Sequence, residues 1–538
     1  MTPEPTAVML TKQYEALKLA RINFESQWQQ VADYGLGRRD FITESVQGRP
    51  RQTHIYDATF QHSADSLAAA IQALLVNQAA QWMWLAPEDP TIQEVDEVVE
   101  YHREKTDITF KIFNHPEANF APQMHEHLID VVAFGSSPMY VDKDDTGIYF
   151  SSRPLMECFV DVNQRGVVDT VFRKFSLTSR NAIEQWGEEA GAAVKKAYDE
   201  HKFDQKFEFL HAVMPRKDAS DFIFSKRRLP IASFYVNLQE KRVVSESGYH
   251  EMPYMFSRWS TDPDEYYGRG PGINALPDAK MLNRMAKTML AAAEKATDPP
   301  LLVSDDGVIS PPRTHPGAIN MVRSGTSRTD PLSYLESRAR PDITQERYNA
   351  VREQVRGHFY HELLQTFEDP RMTATQVLEL SSRTAQRIGP MIFRLQSHLL
   401  EPMVTRVHGL AERAGLYPPA PPGYEDMRFK VDYVSPAARA QLNADVQSVI
   451  AMTNTHMQWA QVNPDAMDNI DLDKASAILG KALGEANKIR RSRKEVRAIR
   501  DAKAEAAEER AGMEQMGQMA DAANKAAPML QMLEGDAA

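Results

Sequence analysis

Apolar residues recur at helical spacing through most of the chain and at strand spacing in one block of its first half. Residues 10–34 place Leu10, Tyr14, Leu17, Ala20, Phe24, Trp28 and Val31 on one helical face, closed by Gly35-Leu36-Gly37. Residues 56–76 repeat the pattern with Phe60, Ala64, Leu67, Ala68, Ile71, Leu74 and Leu75. Trp82-Met83-Trp84-Leu85 reads as a short strand, and helices follow near 92–113 and 119–134. The period then shortens. Met139–Val141 and Ile148–Ser152 flank a turn at Asp144–Gly147, and Phe159–Val162 and Val167–Phe175 flank Asn163–Gly166. Helix returns over 178–201, then strands over 206–214, 230–237, 241–247 and 254–259. These residues predict an α+β region, a helical layer followed by an antiparallel meander.

The stretch from Gly268 to Pro370 organises the rest of the chain. Gly268-Arg269-Gly270-Pro271-Gly272 reads as a flexible turn feeding a helix over Leu276–Ala296, with Pro277 at its first position. The apolar stripe is Leu282, Met285, Met289, Ala292 or Ala293, and Ala296; Pro299-Pro300 stops it. An insert, Asp298 to Pro341, carries the strand-like Leu301–Val303 and a turn at Ser304–Gly307. A second helix, Asp342 to Phe367, has Asp342 as N-cap, Gln345 placed for a capping box, and the stripe Tyr348, Val351, Val355, Phe359, Leu363, Phe367. The pair reads as two antiparallel helices carrying a small tip. The stripes are narrow, and Lys280, Arg284, Lys287, Arg352, Glu353 and Arg356 occupy the other faces, so the pair needs neighbours from this chain or from other copies. One long helix, kinked at Gly389-Pro390 and Glu401-Pro402, is expected over Thr373–Ala414, then a strand at Phe429–Val434. From Pro436 onward the chain is helical. Its last stretch, 496–535, reads either as a self-packing helical tail or as partly disordered.

Composition narrows the classes. A chain of 538 residues with 42% apolar and 25% charged residues has ample core for a soluble protein of more than one domain. Cys158 is the only cysteine, so no internal disulfide forms and a reducing compartment is expected. No signal pattern or run of 18 apolar residues appears, and no membrane span is expected. Net charge −12 argues against tight, sequence-independent DNA binding, but not against a surface that DNA slides past.

Candidate chemistry is thin. Leu479-Gly480-Lys481-Ala482 lacks the upstream glycine and the hydroxyl residue of a phosphate loop. His361-Glu362-Leu363-Leu364-Gln365 lacks the second histidine of a zinc protease, and His125-Glu126-His127 has no partner at ligand spacing, so these read as surface or packing residues. Asp142–Gly147 imitates half a calcium loop, but Arg153 stands at the closing acidic position and a hairpin turn is expected. The glycine segment lacks the strand–helix context of a dinucleotide loop. Neither a metal, a cofactor nor a catalytic residue is expected. The dense basic run Lys488, Arg490, Arg491, Arg493, Lys494, Arg497, Arg500 and Lys503 reads either as a solvated helix or as a passing contact for phosphates.

In order and spacing, one series of segments resembles the portal, or head-to-tail connector, proteins of short-tailed double-stranded DNA bacteriophages. It runs through Ala68–Leu75 before Trp82, Ala133-Phe134-Gly135, Gly248–Tyr254 with Arg258-Trp259, and Tyr267–Pro271. It continues through Leu276–Lys280 with Leu282-Asn283, Pro299-Pro300-Leu301, Pro316–Asn320, Met372–Val377, Gly389-Pro390 and Val434–Gln441. The match covers Leu10 to Gln441; beyond it the likeness is helical character alone. The resemblance implies a homo-oligomeric ring, usually a dodecamer, at one capsid vertex of the virion, assembled in the host cytoplasm. It implies a wing (1–275), stem helices (276–297 and 342–367), a clip (298–341), a channel loop (368–372), a kinked wing helix with a closing strand (373–435) and a helical crown, sometimes extended into a barrel (436–538). Expected partners are the terminase large subunit, the tail adaptor, the major capsid and scaffolding proteins, and passing double-stranded DNA. Candidate residues are Glu368, Asp369, Arg371 and Met372 in the channel loop and Lys280, Arg284, Lys287, Arg352 and Arg356 on the stem. Asp305, Asp306, Arg313 and His315 are candidates in the clip, and Arg490, Arg491, Arg493, Lys494, Arg497 and Arg500 in the crown. Two other classes stay open: an internal virion scaffold or core protein, suggested by the Ala/Glu/Met-rich tail, and a DNA-processing enzyme.

Overall fold

The computed structural model describes residues 3–37, 55–76, 81–92, 95–216, 228–263, 265–297, 301–303, 332–334, 341–361, 388–424, 427–433, 448–459, 469–476, 496, 498–507, 510, 513 and 516–517. The chain divides into two bodies: Met1–Trp82 with Ile108–Leu416, and Met83–Asp107 with Tyr417–Ala538.

The first body is mixed α and β. Helix α1 (Pro3–Val31) runs into a π-turn, Ala32–Leu36, and is followed by α2 (Thr59–Leu75). Helix α3 (Asp96–Phe113) enters this body at Ile108, and α4 (Phe120–Phe134) follows. Strands β2 (Ser136–Lys143), β3 (Ile148–Ser152) and β9 (Tyr254–Arg258) form an antiparallel sheet with β2 in the centre. Strands β4 (Cys158–Val162), β5 (Val168–Thr178), β6 (Lys206–Pro215), β7 (Ile231–Asn237) and β8 (Arg242–Tyr249) make an antiparallel meander in sequence order. The mixed α and β character is as expected from the period-two block, but β9 returns to pair with β2, so the strands form two sheets where a single meander was expected.

The meander is covered on both faces because its strands alternate. From β6, Leu210 and Ala212 join Phe159, Phe172 and Val236 under Ala7, Leu10 and Tyr14 of α1. Phe207 and Phe209 point the other way, into a cluster with Ala182, Ala190, Val194 and Ala197. Those alanines and the valine lie on or beside two short helices, α5 (Ser179–Trp186) and α6 (Ala192–Asp199), where a single helix over 178–201 was expected. Gly187 and Gly191, both at positive φ, break the run. The turn at Asp144 is a hairpin, as expected. Its carboxylate accepts from Thr146 N (2.8 Å), Thr146 Oγ1 (2.6 Å) and Gly147 N (3.1 Å) and is consumed by the turn.

One buried cation fastens α1 to the sheets. Arg21 is 3% exposed. It donates to the carbonyls of Leu155 (3.1 Å), Met156 (2.9 Å) and Cys158 (2.8 Å), pairs with Glu25, and lies 3.6 Å above the Phe159 ring. Another fastens the last helix of this body. Residues 388–395 are helical, a π-turn spans Gln396–Leu400, and α9 covers Glu401–Arg413. Pro402, at the second position of α9, has no N–H to donate back, and the wide turn before it absorbs the missing bond. From α9, Arg406 reaches Asp142 (3.2 Å) and Glu251 (2.9 Å), and Arg413 reaches Glu251 at 2.6 Å.

The glycine segment 268–272 is not a flexible turn. A Cβ on Gly270 would meet Val132 O at 2.6 Å, and one on Gly272 would meet Ala133 O at 2.4 Å. Gly135, at φ +84°, ends α4 against Gly268 and Gly270. The backbone of 268–272 therefore lies directly on the end of α4, closed by Gly268 N to Ser136 Oγ (2.8 Å) and Trp259 N to Gly135 O (2.9 Å).

In the second body β1 (Met83–Pro87) pairs antiparallel with β12 (Phe429–Tyr433), Leu85 opposite Val431. Leu85 N donates to Thr106 Oγ1 at 3.0 Å, and the Lys105 ammonium lies 4.9 Å from the rings of both Tyr101 and Tyr417.

Because Arg21 serves three carbonyls that no other described side chain reaches, Arg21→Met is expected to cost about 3–5 kcal/mol, while Glu25→Gln costs no more than about 1 kcal/mol. Urea unfolding monitored by circular dichroism reads both; equal costs would show that the carbonyl contacts contribute nothing.

Candidate functional site

The candidate site is the paired helices and the junction at their base. Helix α7 (Pro271–Thr297) starts earlier than expected: Gly270 O accepts from Ile273 N and Asn274 N, and Pro271 takes the first helical position. Pro277 is inside the helix rather than at its start, and is tolerated on an exposed side. Burial is concentrated in the first half, on Ala275, Leu276, Ala279, Leu282, Asn283 and Ala286. Of the expected stripe only Leu282 is buried; Met285, Met289 and Ala292 are half-buried, and Ala293 and Ala296 are exposed. The reason is local. The first half packs on α1, α4 and α2, whereas the second half extends past them.

Helix α8 (Pro341–His358) buries Tyr348, Val351, Val355 and then Phe359, as the spacing predicts; Leu363 and Phe367 lie outside the described residues. The helix does not run unbroken to Phe367. It stops at His358, and Tyr360 takes a positive φ of 57°. Gly357 weakens the last turn, Phe359 seats edge-on against Phe60 (5.0 Å), and Tyr360 stacks on Trp259 (6.4 Å), so packing draws the chain off the helical path. The two helices run antiparallel. His358 Nε2 meets Asp278 at 2.9 Å near one end, and beyond the other β10 (Leu301–Val303) pairs with β11 (Leu332–Tyr334), Leu302 opposite Ser333.

At the base, Asn283 and Asp57 join four segments. Asn283, 4% exposed, accepts from Tyr56 N (2.7 Å) and Asp57 N (3.1 Å) and donates to Tyr34 O (3.1 Å) and Ala279 O (3.0 Å). The Asp57 carboxylate accepts from Thr59 N (2.8 Å), Arg352 (2.8 Å) and the Tyr348 hydroxyl. Burial pushes this carboxyl up, but the hydrogen bonds from Thr59, Tyr348 and Arg352 outweigh it and hold the group at about 2. The sequence carried a signal for Asp57, an acid two residues ahead of Thr59 at a helix start, and for Asn283, an amide beside Leu282 on a buried face. Neither was among the expected site residues.

Those expected residues fall into four groups. Lys280 donates to Gln30 and lies 5.3 Å from the Tyr34 ring, and Arg352 is held by Asp57; both are fold ties. Arg356 pairs with Glu353 at 2.7 Å, while Arg284 and Lys287 are exposed and make no ion pair among the described residues; Lys287 lies 5.6 Å from the Tyr56 ring. In the second body Arg500 is paired, both nitrogens 2.8 Å from Asp473. Glu368, Asp369, Arg371 and Met372, Asp305, Asp306, Arg313 and His315, and Arg490, Arg491, Arg493, Lys494 and Arg497 lie outside the described residues. Among the described residues no group of three or more His, Cys, Asp or Glu could hold a metal.

The depressed Asp57 carboxyl fixes a pH window. The tie is complete above the unfolded carboxylate range near pH 4 and is lost as pH falls toward about 2. Asp57→Asn is expected to lower stability by about 2 kcal/mol at pH 7, with the gap to wild type closing over that window. Thermal unfolding at pH 7, 4 and 2.5 checks it; a gap that does not change with pH would remove the charge from the account.

The family of bacteriophage head to tail connecting proteins matches residues 8–490, further than the expected limit at Gln441. The chain is 25% identical over 498 residues to the probable portal protein of Bordetella phage BPP-1, across 90% of this chain and 88% of that one. It is 25% identical over 523 residues to the portal protein of Salmonella phage epsilon15, across 95% and 93%. An α+β body, an antiparallel helix pair and a strand-tied insert thus lie within a match that spans most of the sequence, and the chain belongs to the bacteriophage head to tail connecting proteins.

Proposed function

We propose that copies of this chain close into a ring, a dodecamer, at one vertex of the capsid and form the channel through which double-stranded DNA is packaged and later ejected. In this reading α7 and α8 are the stem, residues 298–341 the clip, and 368–372 a loop bordering the channel. The clip docks the terminase large subunit during packaging and the tail adaptor afterwards, and the outer regions meet the capsid and scaffolding proteins. The role is structural rather than catalytic.

The observation that carries the reading, beside the family match, is the unfinished burial of the stem. Past Ala286, α7 keeps Leu290 53% exposed and every residue from Ala293 to Thr297 exposed. A helix end with that much apolar and alanine surface gains by lateral packing, and each further methylene buried between neighbours contributes about 0.8 kcal/mol, repeated at every interface of a closed ring. Arg284 and Lys287, exposed and without ion pairs among the described residues, suit weak, exchangeable phosphate contacts on an otherwise acidic protein.

Negative-stain images of the purified protein are expected to show closed rings with a central hole, and native mass spectrometry a twelvefold mass. A stable solitary monomer with the helix pair sealed inside its own fold would end the proposal.

Deleting Asp298–Arg340 removes the insert with its β10–β11 ladder and is expected to leave rings that cannot package DNA. Normal packaging by the deleted ring would refute the clip assignment.

A further inference from the structure

Between the start of α2 and the last turns of α8 lies a cleft of about 280 Å³. Its polar lining is unevenly satisfied. The Asp57 carboxylate is used up by Thr59, Tyr348 and Arg352. Three other groups in the lining have no hydrogen-bond partner among the described residues. Ser63 is 5% exposed, and among the described residues its hydroxyl makes no hydrogen bond. Arg352 Nε and His361 Nδ1 are both shielded from solvent and, among the described residues, have no hydrogen-bond partner. A guanidinium N–H can only donate, so what is missing opposite it is an acceptor. The lining is thus rich in groups that can donate, two guanidiniums, two imidazoles and a serine hydroxyl, around a carboxylate that is already engaged. His62 and Arg356 line the same cleft, and among the described residues Arg356 pairs with the exposed Glu353, a pair worth little. The first turn of α2 adds the positive end of its dipole.

We propose that this cleft is a binding site for a phosphate group, held by Arg356 and Arg352 from α8 and by the Ser63 hydroxyl from α2, with His361 completing the shell. The recognition chemistry is that of a tetrahedral oxyanion: its acceptor oxygens meet the guanidinium and hydroxyl donors that line the cleft. The Asp57 carboxylate does not repel it, because that charge is already neutralised by Arg352 and shared with Tyr348. Both free inorganic phosphate and a phosphodiester of DNA satisfy this chemistry. The site lies within one body of a single chain and does not rest on ring formation, so it stands or falls separately from the proposed channel.

The test uses the full chain, wild type, Arg356→Gln and Ser63→Ala. Inorganic phosphate is titrated against sodium chloride of equal ionic strength and read by calorimetry and by Tm. The general stabilising action of phosphate on folded proteins is common to all three and cancels in the comparison. Wild type is expected to bind at least about tenfold more tightly than Arg356→Gln. The same comparison with a short DNA duplex at physiological salt distinguishes the sources. A differential with phosphate assigns the free ion, and a differential with the duplex alone assigns the phosphodiester; each supports the site. Should Arg356→Gln fail to fold, Ser63→Ala carries the comparison, since it removes one hydroxyl and disturbs no ion pair. Equal behaviour of wild type and variants toward both probes would overturn the proposal and leave the cleft to water.

Discussion

Where the chain passes from β9 into α7, main chain lies on main chain, with no side chain between. Val132, Ala133 and Gly135 on one side and Gly268, Gly270 and Gly272 on the other approach closer than any Cβ allows. This contact fixes both the point at which α7 leaves the α+β body and its direction. Everything beyond inherits that direction: the burial of the first half of α7, the reach of Asn283 to the start of α2, and the seat of α8 on both. A larger residue here would have to displace backbone on both sides, because the atoms met are carbonyls and amides and not the ends of flexible side chains.

The next level of control is polar. Asn283 satisfies two backbone N–H groups and donates to two carbonyls, so its burial leaves no unpaired amide. Asp57 gathers a backbone N–H, a phenol and a guanidinium. Arg21 and Arg406 repeat the device elsewhere in the body. In each case a charged group is buried only where several partners converge, which makes these ties directional in a way that apolar packing is not. The helix pair is therefore anchored at its base by specific bonds, while the far half of α7 is left with apolar and alanine surface.

Much of this was legible in the sequence. The period-two block between 139 and 259 gave the sheet residues, and the stripe of α8 gave Tyr348, Val351, Val355 and Phe359 as its buried face. The antiparallel pair and the strand at Leu301–Val303 followed from the proline and turn signals around them. What sequence pattern could not deliver was set by tertiary contact. The buried face of α7 turns toward Ala275, Ala279 and Asn283 because helices from distant parts of the chain approach there, and small residues carry little periodic signal. The break after His358 comes from Phe60 and Trp259, some hundreds and about a hundred positions away. Pairing of β1 with β12 joins opposite ends of the sequence, and nothing local announces it. The candidate cations show the same limit. Lys280 and Arg352 look like solvent-facing charge on a helical wheel, yet each has found a partner near the start of the chain.

The ladder of Leu301–Val303 with Leu332–Tyr334 has a consequence for how such a protein changes over generations. The excursion it closes departs and returns at a single place, so lengthening or shortening what lies between costs only a slowly growing closure entropy. Neither helix below has to shift to accommodate the change. A lineage could exchange the whole excursion to suit a new counterpart while the rest of its architecture stayed as it was.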